Sequence, residues 1–122
     1  MAYGYELILD IHNCTVLPCG RENLRRYFRE LCRLIEMKRA DLHFWDYHDD
    51  PVGYKRAPPH LKGTSAVQFI RTSNVTIHTL DTLGKVFVNI FSCKTFDYEK
   101  ATEFTVRFFS GILAKAATLE RE

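Results

Sequence analysis

Residues 63–94 read GTSAVQFIRTSNVTIHTLDTLGKVFVNIFSCK, and their alternation decides the fold. Val75, Ile77 and Thr79 alternate with Thr76, His78 and Leu80, and Val86, Val88 and Ile90 alternate with Phe87, Asn89, Phe91 and Cys93. A period of two marks strands, and Leu83-Gly84-Lys85 supplies the turn that pairs these two. Thr64 to Ile70 reads as a strand before them, joined through Arg71-Thr72-Ser73-Asn74, which puts Ser73 at a strand junction. A hydroxyl, an imidazole and a thiol therefore fall on adjacent strands as Ser73, His78 and Cys93, with Ser65 just upstream.

The rest of the chain supplies what must pack on that sheet. In residues 4–13, Tyr5, Leu7, Leu9 and Ile11 alternate with Glu6, Ile8, Asp10 and His12, a first strand with one partly polar face. From Arg21 to about Lys38, Leu24, Tyr27, Phe28, Leu31, Leu34 and Ile35 recur at helical spacing after the break at Pro18 to Gly20. Asp41 to Tyr47 reads as a second strand, and the Pro, Gly and charge content of residues 46–62 predicts a long loop of the kind that forms lids or surface insertions. Asp97 can cap a final helix whose buried face would carry Ala101, Phe104, Thr105, Phe108, Ile112 and Leu113. The order predicts an α+β fold, a two-layer sandwich of a mainly antiparallel sheet with two helices on one face.

At 122 residues and 46% hydrophobic content, the chain is expected to form a single domain, residues 1–122, with a core that needs no disulfide or metal. The net charge is only +2, and Arg21, Arg25, Arg26, Arg29 and Arg33 are interleaved with Glu22, Glu30 and Glu36. That is a solvated helix face, so nucleic acid is not an expected partner. No apolar run approaches the roughly 18 residues of a membrane span, and the N-terminus lacks a basic region followed by a long apolar core, which predicts a cytoplasmic protein without membrane contact. Cys14, Cys19, Cys32 and Cys93 show neither C-x-x-C spacing nor a partnering histidine pair, so no metal site is expected and reduced thiols are the default.

By themselves Ser65, Ser73, His78 and Cys93 leave two readings open. A serine needs a base within hydrogen-bond reach, which spacing does not show. Each residue also has a packing explanation: a half-buried histidine, a strand thiol, turn or edge hydroxyls. No phosphate loop, G-x-S-x-G elbow or H-E-x-x-H helix is present.

Register adds to this. The short prokaryotic type of S-adenosylmethionine decarboxylase, a self-cleaving pyruvoyl enzyme, carries roughly G-V-S-G, E-S-H, T-I-H-T-W-P-E and D-x-F-T-C-G. This chain resembles it through GTSA, TSN, TIHTLDT and NIFSCK at matching spacing. The opening YGYELILDI resembles the family's first strand through Gly4, Glu6 and Asp10, while residues 46–62 read as an expansion. The resemblance implies the S-adenosylmethionine decarboxylase-like version of the predicted fold, with a small-molecule substrate and a homodimer.

It also implies roles. Ser73 would attack the Thr72 carbonyl, cleavage would fall between Thr72 and Ser73, and Ser65 would hydrogen-bond the oxyanion. His78 would remove the Ser73 α proton, so that the ester is eliminated and the resulting dehydroalanine hydrolyses to a covalent pyruvoyl cofactor. That carbonyl would accept the electrons released as carbon dioxide leaves the substrate, and Cys93 would return a proton to the α carbon. The product would serve spermidine synthesis.

The chain departs from the family pattern at four positions. Thr72 and Asn74 stand where the family has glutamate and histidine, and Leu80 and Thr82 stand in the substrate-binding positions of a tryptophan and of the glutamate that accepts both ribose hydroxyls. A threonine cannot reproduce that charge-assisted contact. Two alternatives follow: the same chemistry on a basic amino acid such as arginine or ornithine, or an uncleaved relative acting as a binding protein. A basic substrate would need an acid for its distal cation, drawn from Glu6, Asp10, Asp46, Asp49, Asp50 and Asp81, with Glu6 preferred for its place on the first strand.

Overall fold

A computed structural model describes residues 2–122. In chain order the elements are β1 (Gly4–His12), α1 (Arg21–Leu34), β2 (Arg39–Trp45), α2 (Pro51–Arg56), a 3-10 turn (Pro59–Leu61), β3 (Gly63–Ile70), β4 (Ser73–Leu80), β5 (Lys85–Ser92), α3 (Tyr98–Phe108) and β6 (Ile112–Arg121). The strands form one sheet in the order β2-β3-β4-β5-β1-β6, with every neighbouring pair antiparallel. This is the α+β sandwich that the alternation predicts.

One face of the sheet is covered. Leu7, Leu9 and Ile11 of β1, Val75 and Ile77 of β4, and Val86, Val88 and Ile90 of β5 bury against Leu24, Tyr27, Phe28 and Leu31 of α1 and Ala101 of α3. The Tyr27 hydroxyl shares a 2.7 Å hydrogen bond with Thr105, satisfying both polar groups inside this core. Cys14, Cys19 and Cys32 are buried here, and desolvation pushes each thiol up to about 11. Among the described residues no helix is long and apolar enough to cross a membrane.

Several predicted boundaries move. Helix α1 stops at Leu34 rather than near Lys38, because Glu36 turns left-handed at φ 59°, although Ile35 and Met37 still bury. Residues 46–62 hold a short helix and a 3-10 turn instead of an unbroken loop, with Asp50 capping α2 through Gly53 N–H at 2.9 Å and Pro51 in its first turn. The largest correction concerns Ile112 and Leu113, placed by sequence on the last helix. Ser110 at φ 48° ends α3, and residues 112–121 run back along β1 as a sixth strand.

Candidate active site

The second face of the sheet lies open, and strand pairing arranges it in rows. One row runs Trp45, Ser65, His78, Phe87 and Asp10 across five strands. The next but one runs Phe69, Asn74, Phe91, Glu6 and Leu119. Antiparallel partners share a face, so these side chains all project from the side away from α1 and α3.

Within the first row, Ser65 Oγ and His78 Nδ1 are 2.8 Å apart, and the tautomer of the imidazole decides which donates. The pair sits in a 290 Å3 cavity whose remaining walls include Trp45, His60, Leu80 and Phe87. Trp45 is 63% exposed, an aromatic surface left uncovered beside a polar pair. Gly63 begins β3 at this spot because a Cβ there would overlap the Thr79 carbonyl oxygen. The arrangement offers an imidazole with a hydroxyl beside apolar and aromatic walls, suited to moving a proton on a substrate or chain segment brought to it.

Ser73 and Cys93 lie elsewhere. Ser73 is the first residue of β4, and its Oγ accepts the Cys93 backbone N–H at 3.1 Å and stands 3.8 Å from Cys93 Sγ. The Thr72 hydroxyl is 3.1 Å from the same sulfur. These hydroxyls, Thr72 first and Ser73 second, hold the exposed Cys93 thiol below its ordinary pKa. A cavity of 490 Å3 opens here, walled in part by Met37, Arg39, Arg71 and Lys94. The Ser73 hydroxyl, the Thr72 carbonyl before it and the Cys93 thiol thus meet at one end of the sheet.

The structure therefore brings together two pairs, not one constellation. Ser73 and His78 are five positions apart on β4, roughly 16 Å along the strand. The odd separation also turns them to opposite faces: Ser73 is buried with Val75 and Ile77, and His78 is exposed. Within one chain the imidazole does not reach Ser73.

The substrate-binding candidates divide similarly. Leu80 lines the Ser65–His78 cavity, whereas Thr82 is in the exposed turn after β4. Glu6 lies on the open face in a 540 Å3 hollow shared with His78, Asn74 and Asn89, and it already pairs with Arg121 at 3.0 Å. Asp46 is held by Arg21 through two 2.8 Å bonds, chiefly the reason its carboxyl titrates low. Asp50 caps α2, and Asp49 is exposed beside His48. Asp81 accepts from the Tyr54 hydroxyl at 2.8 Å and lies 3.4 Å from the Thr79 hydroxyl, on the strand parity of the covered face; burial raises its pKa. Asp10 shares the His78 row two strands away.

Sequence reasoning missed Trp45, His60, Asn89 and Arg121. Asn89 was legible, since it alternates in phase with Phe87 and Phe91. Arg121 was hidden by reading the C-terminal region as an extension of a helix.

The architecture is a known one. A crystal structure of the adenosylmethionine decarboxylase from Aquifex aeolicus superposes with a TM-score of 0.74, covering 98% of this chain and 91% of that one at 14% identity. No curated protein sequence matches the chain. The fold is thus that of a decarboxylase class. A family model described as S-adenosylmethionine decarboxylase matches residues 5–122, and the chain belongs to that family.

Proposed function

We propose that the protein is a self-cleaving, pyruvoyl-dependent decarboxylase acting on S-adenosylmethionine in the cytoplasm, supplying the aminopropyl donor for spermidine synthesis. The observation that carries the reading is the environment of Ser73. Its hydroxyl stands directly after the Thr72 carbonyl at a strand start, held by the Cys93 N–H at 3.1 Å and 3.8 Å from the thiol. A serine so placed fits conversion to a pyruvoyl group, because the turn before it exposes the bond to be cut and the cavity beside it leaves room for a substrate.

When formed, the pyruvoyl group supplies an electron sink for loss of carbon dioxide. Cys93, with its lowered pKa, serves as the proton donor to the substrate α carbon near neutral pH. Ser65 and His78 provide an oxyanion partner and a base for the cleavage.

Those last two roles require a second copy of the chain. The open sheet face mixes apolar residues (Ile8, Val67, Phe69, Phe87, Phe91) with His78, Asn89 and Glu6, and α1 and α3 cover only the opposite side. Stacking two such faces about a two-fold axis that runs across the strands lays the Ser65–His78 end of one copy over the Thr72–Cys93 end of the other. A homodimer with shared sites brings both pairs to one end of the stacked sheets, and the Ser73 side chain, turned toward the covered face, swings out at the Thr72–Ser73 turn to meet the partner copy's imidazole.

A second reading, in which the same chemistry acts on a basic amino acid such as arginine or ornithine, is favoured by Glu6, whose carboxylate lies in the hollow shared with His78 and would take the substrate's distal cation in place of Arg121. Intact mass of purified protein tests the cofactor: two fragments, one ending at Thr72 and one beginning with a pyruvoyl at 73, are expected. A single full-length mass after prolonged incubation overturns the enzyme reading in favour of an uncleaved binding protein. Carbon dioxide release from S-adenosylmethionine, arginine and ornithine then separates the two substrate classes.

A further inference from the structure

We propose that the backbone of Thr72 is a strain element that drives cut formation at the Thr72–Ser73 bond, which makes Thr72 a positioning residue for self-cleavage. The inference rests on the self-cleaving reading above. Arg71 and Thr72 form a two-residue turn between β3 and β4, closed by the pairing of Ile70 with Ser73. Two-residue hairpins ordinarily take positive φ at the first central residue, alone or with the second, because that twist matches the strands. Here the positive φ falls on the second residue alone, at 55°.

The residue type adds to the mismatch. A left-handed position suits glycine or asparagine, and a β-branched side chain there is a genuine outlier. Asn13, Glu36 and Ser110 also have positive φ, but none is β-branched, so Thr72 stands alone in this among the described residues. Contacts on both sides keep the turn from relaxing. The Thr72 hydroxyl lies 2.7 Å from the Arg71 carbonyl oxygen and 3.1 Å from Cys93 Sγ, and Ser73 Oγ is held by the Cys93 N–H.

The reaction removes that constraint. Ser73 Oγ bonds to the Thr72 carbonyl carbon, the Thr72 C–N bond breaks, and the hydroxyl proton passes to the freed Ser73 nitrogen, giving an ester with no other reactant. The ester places Cβ and Oγ of Ser73 between the two segments, so pairing of β4 with β3 no longer dictates the Thr72 dihedral. Strain present in the uncleaved chain and released along the path lowers the barrier.

Two variants separate strain from a merely structural role. In a Ser73→Ala background, which cannot cleave, Thr72→Gly is expected to raise the Tm. With Ser73 intact, the same change is expected to slow cleavage by roughly fivefold or more, read by fragment mass against time, and Thr72→Asn is expected to fall between. Cleavage at the parental rate with a raised Tm overturns the inference and leaves the decarboxylase reading standing. Slower cleavage without the gain in Tm also overturns it, since released strain would not be the cause. A parent chain that never cleaves overturns both.

Discussion

Cys93 is set apart from the other three thiols by its exposure and by its neighbours. Cys14, Cys19 and Cys32 sit in the core, where desolvation penalises the thiolate and lifts each to about 11. Cys93 lies just beyond β5, exposed, with the Thr72 hydroxyl at 3.1 Å and the Ser73 hydroxyl at 3.8 Å. Hydroxyl donors stabilise the anion, so the pKa falls. The Thr72 hydroxyl has one proton and two acceptors, the Arg71 carbonyl and Cys93 Sγ, and ionisation of the thiol would draw that proton to sulfur. In the uncleaved Ser73→Ala protein, Thr72→Val keeps the side-chain shape and removes the donor. The Cys93 pKa should rise, so the pH profile of its alkylation should move upward and the rate at pH 7 should drop. An unchanged profile would show that the remaining backbone and lysine surroundings set the thiol's acidity.

Among the elements, the segment between β2 and β3 has the clearest bearing on the site. Tyr54 of α2 donates to Asp81 at 2.8 Å, Asp81 N–H donates to the Lys62 carbonyl at 2.9 Å, and the Tyr47 hydroxyl donates to the Leu61 carbonyl at 3.0 Å. These three bonds fix the 3-10 turn so that His60 and Leu61 wall the Ser65–His78 cavity. Tyr54→Phe removes one of them, at a cost of about 1–2 kcal/mol in the local stability of that segment. Faster amide exchange over residues 51–62 is expected, with KM for the decarboxylated substrate raised and kcat little changed. A KM equal to the parent's would mean that the segment does not touch substrate. The helix here was legible, since Asp50-Pro51 is a capping signal, but the density of Pro, Gly and charge outweighed it. Strand β6 was not legible in the same way. Phe104, Phe108 and Ile112 continue a helical spacing, and ILAKAATLER is rich in helix-favouring alanine and leucine. All ten of its residues are exposed, so no burial alternation marks it, and pairing with β1 decides its conformation. The strands of residues 63–92 were legible because one face of each is buried, and the same parity places Ser73 and His78 on opposite faces. What local sequence does not contain is the long-range packing that separates the two pairs.

The whole molecule presents a covered face and an uncovered one, and the proposed chemistry is split between the end of one strand and the far end of the same strand. If one chain worked alone, Ser73→Ala and His78→Ala would each abolish cleavage, and mixing the two would restore nothing. If sites are shared in a two-fold dimer, the serine of one copy meets the histidine of the other. A mixed dimer then holds one site with both residues intact and one with neither. Random assortment of equal amounts makes about half the dimers mixed, so co-expression should recover roughly a quarter of the parental cleavage and decarboxylase activity. Light scattering on the parent should report a dimer, and a charge placed at the centre of the open face, Thr76→Lys or Val67→Glu, should dissociate it and stop cleavage while leaving helical content unchanged. Val67 pairs with Thr76 and lines neither the Ser65–His78 cavity nor the hollow of Glu6 and His78, so Val67→Glu reads assembly rather than chemistry, whereas Thr76→Lys also alters that hollow. Failure of the co-expressed variants to recover any cleavage, with the dimer intact, would exclude the shared site. It would require β4 to rearrange within one chain before His78 could act on Ser73.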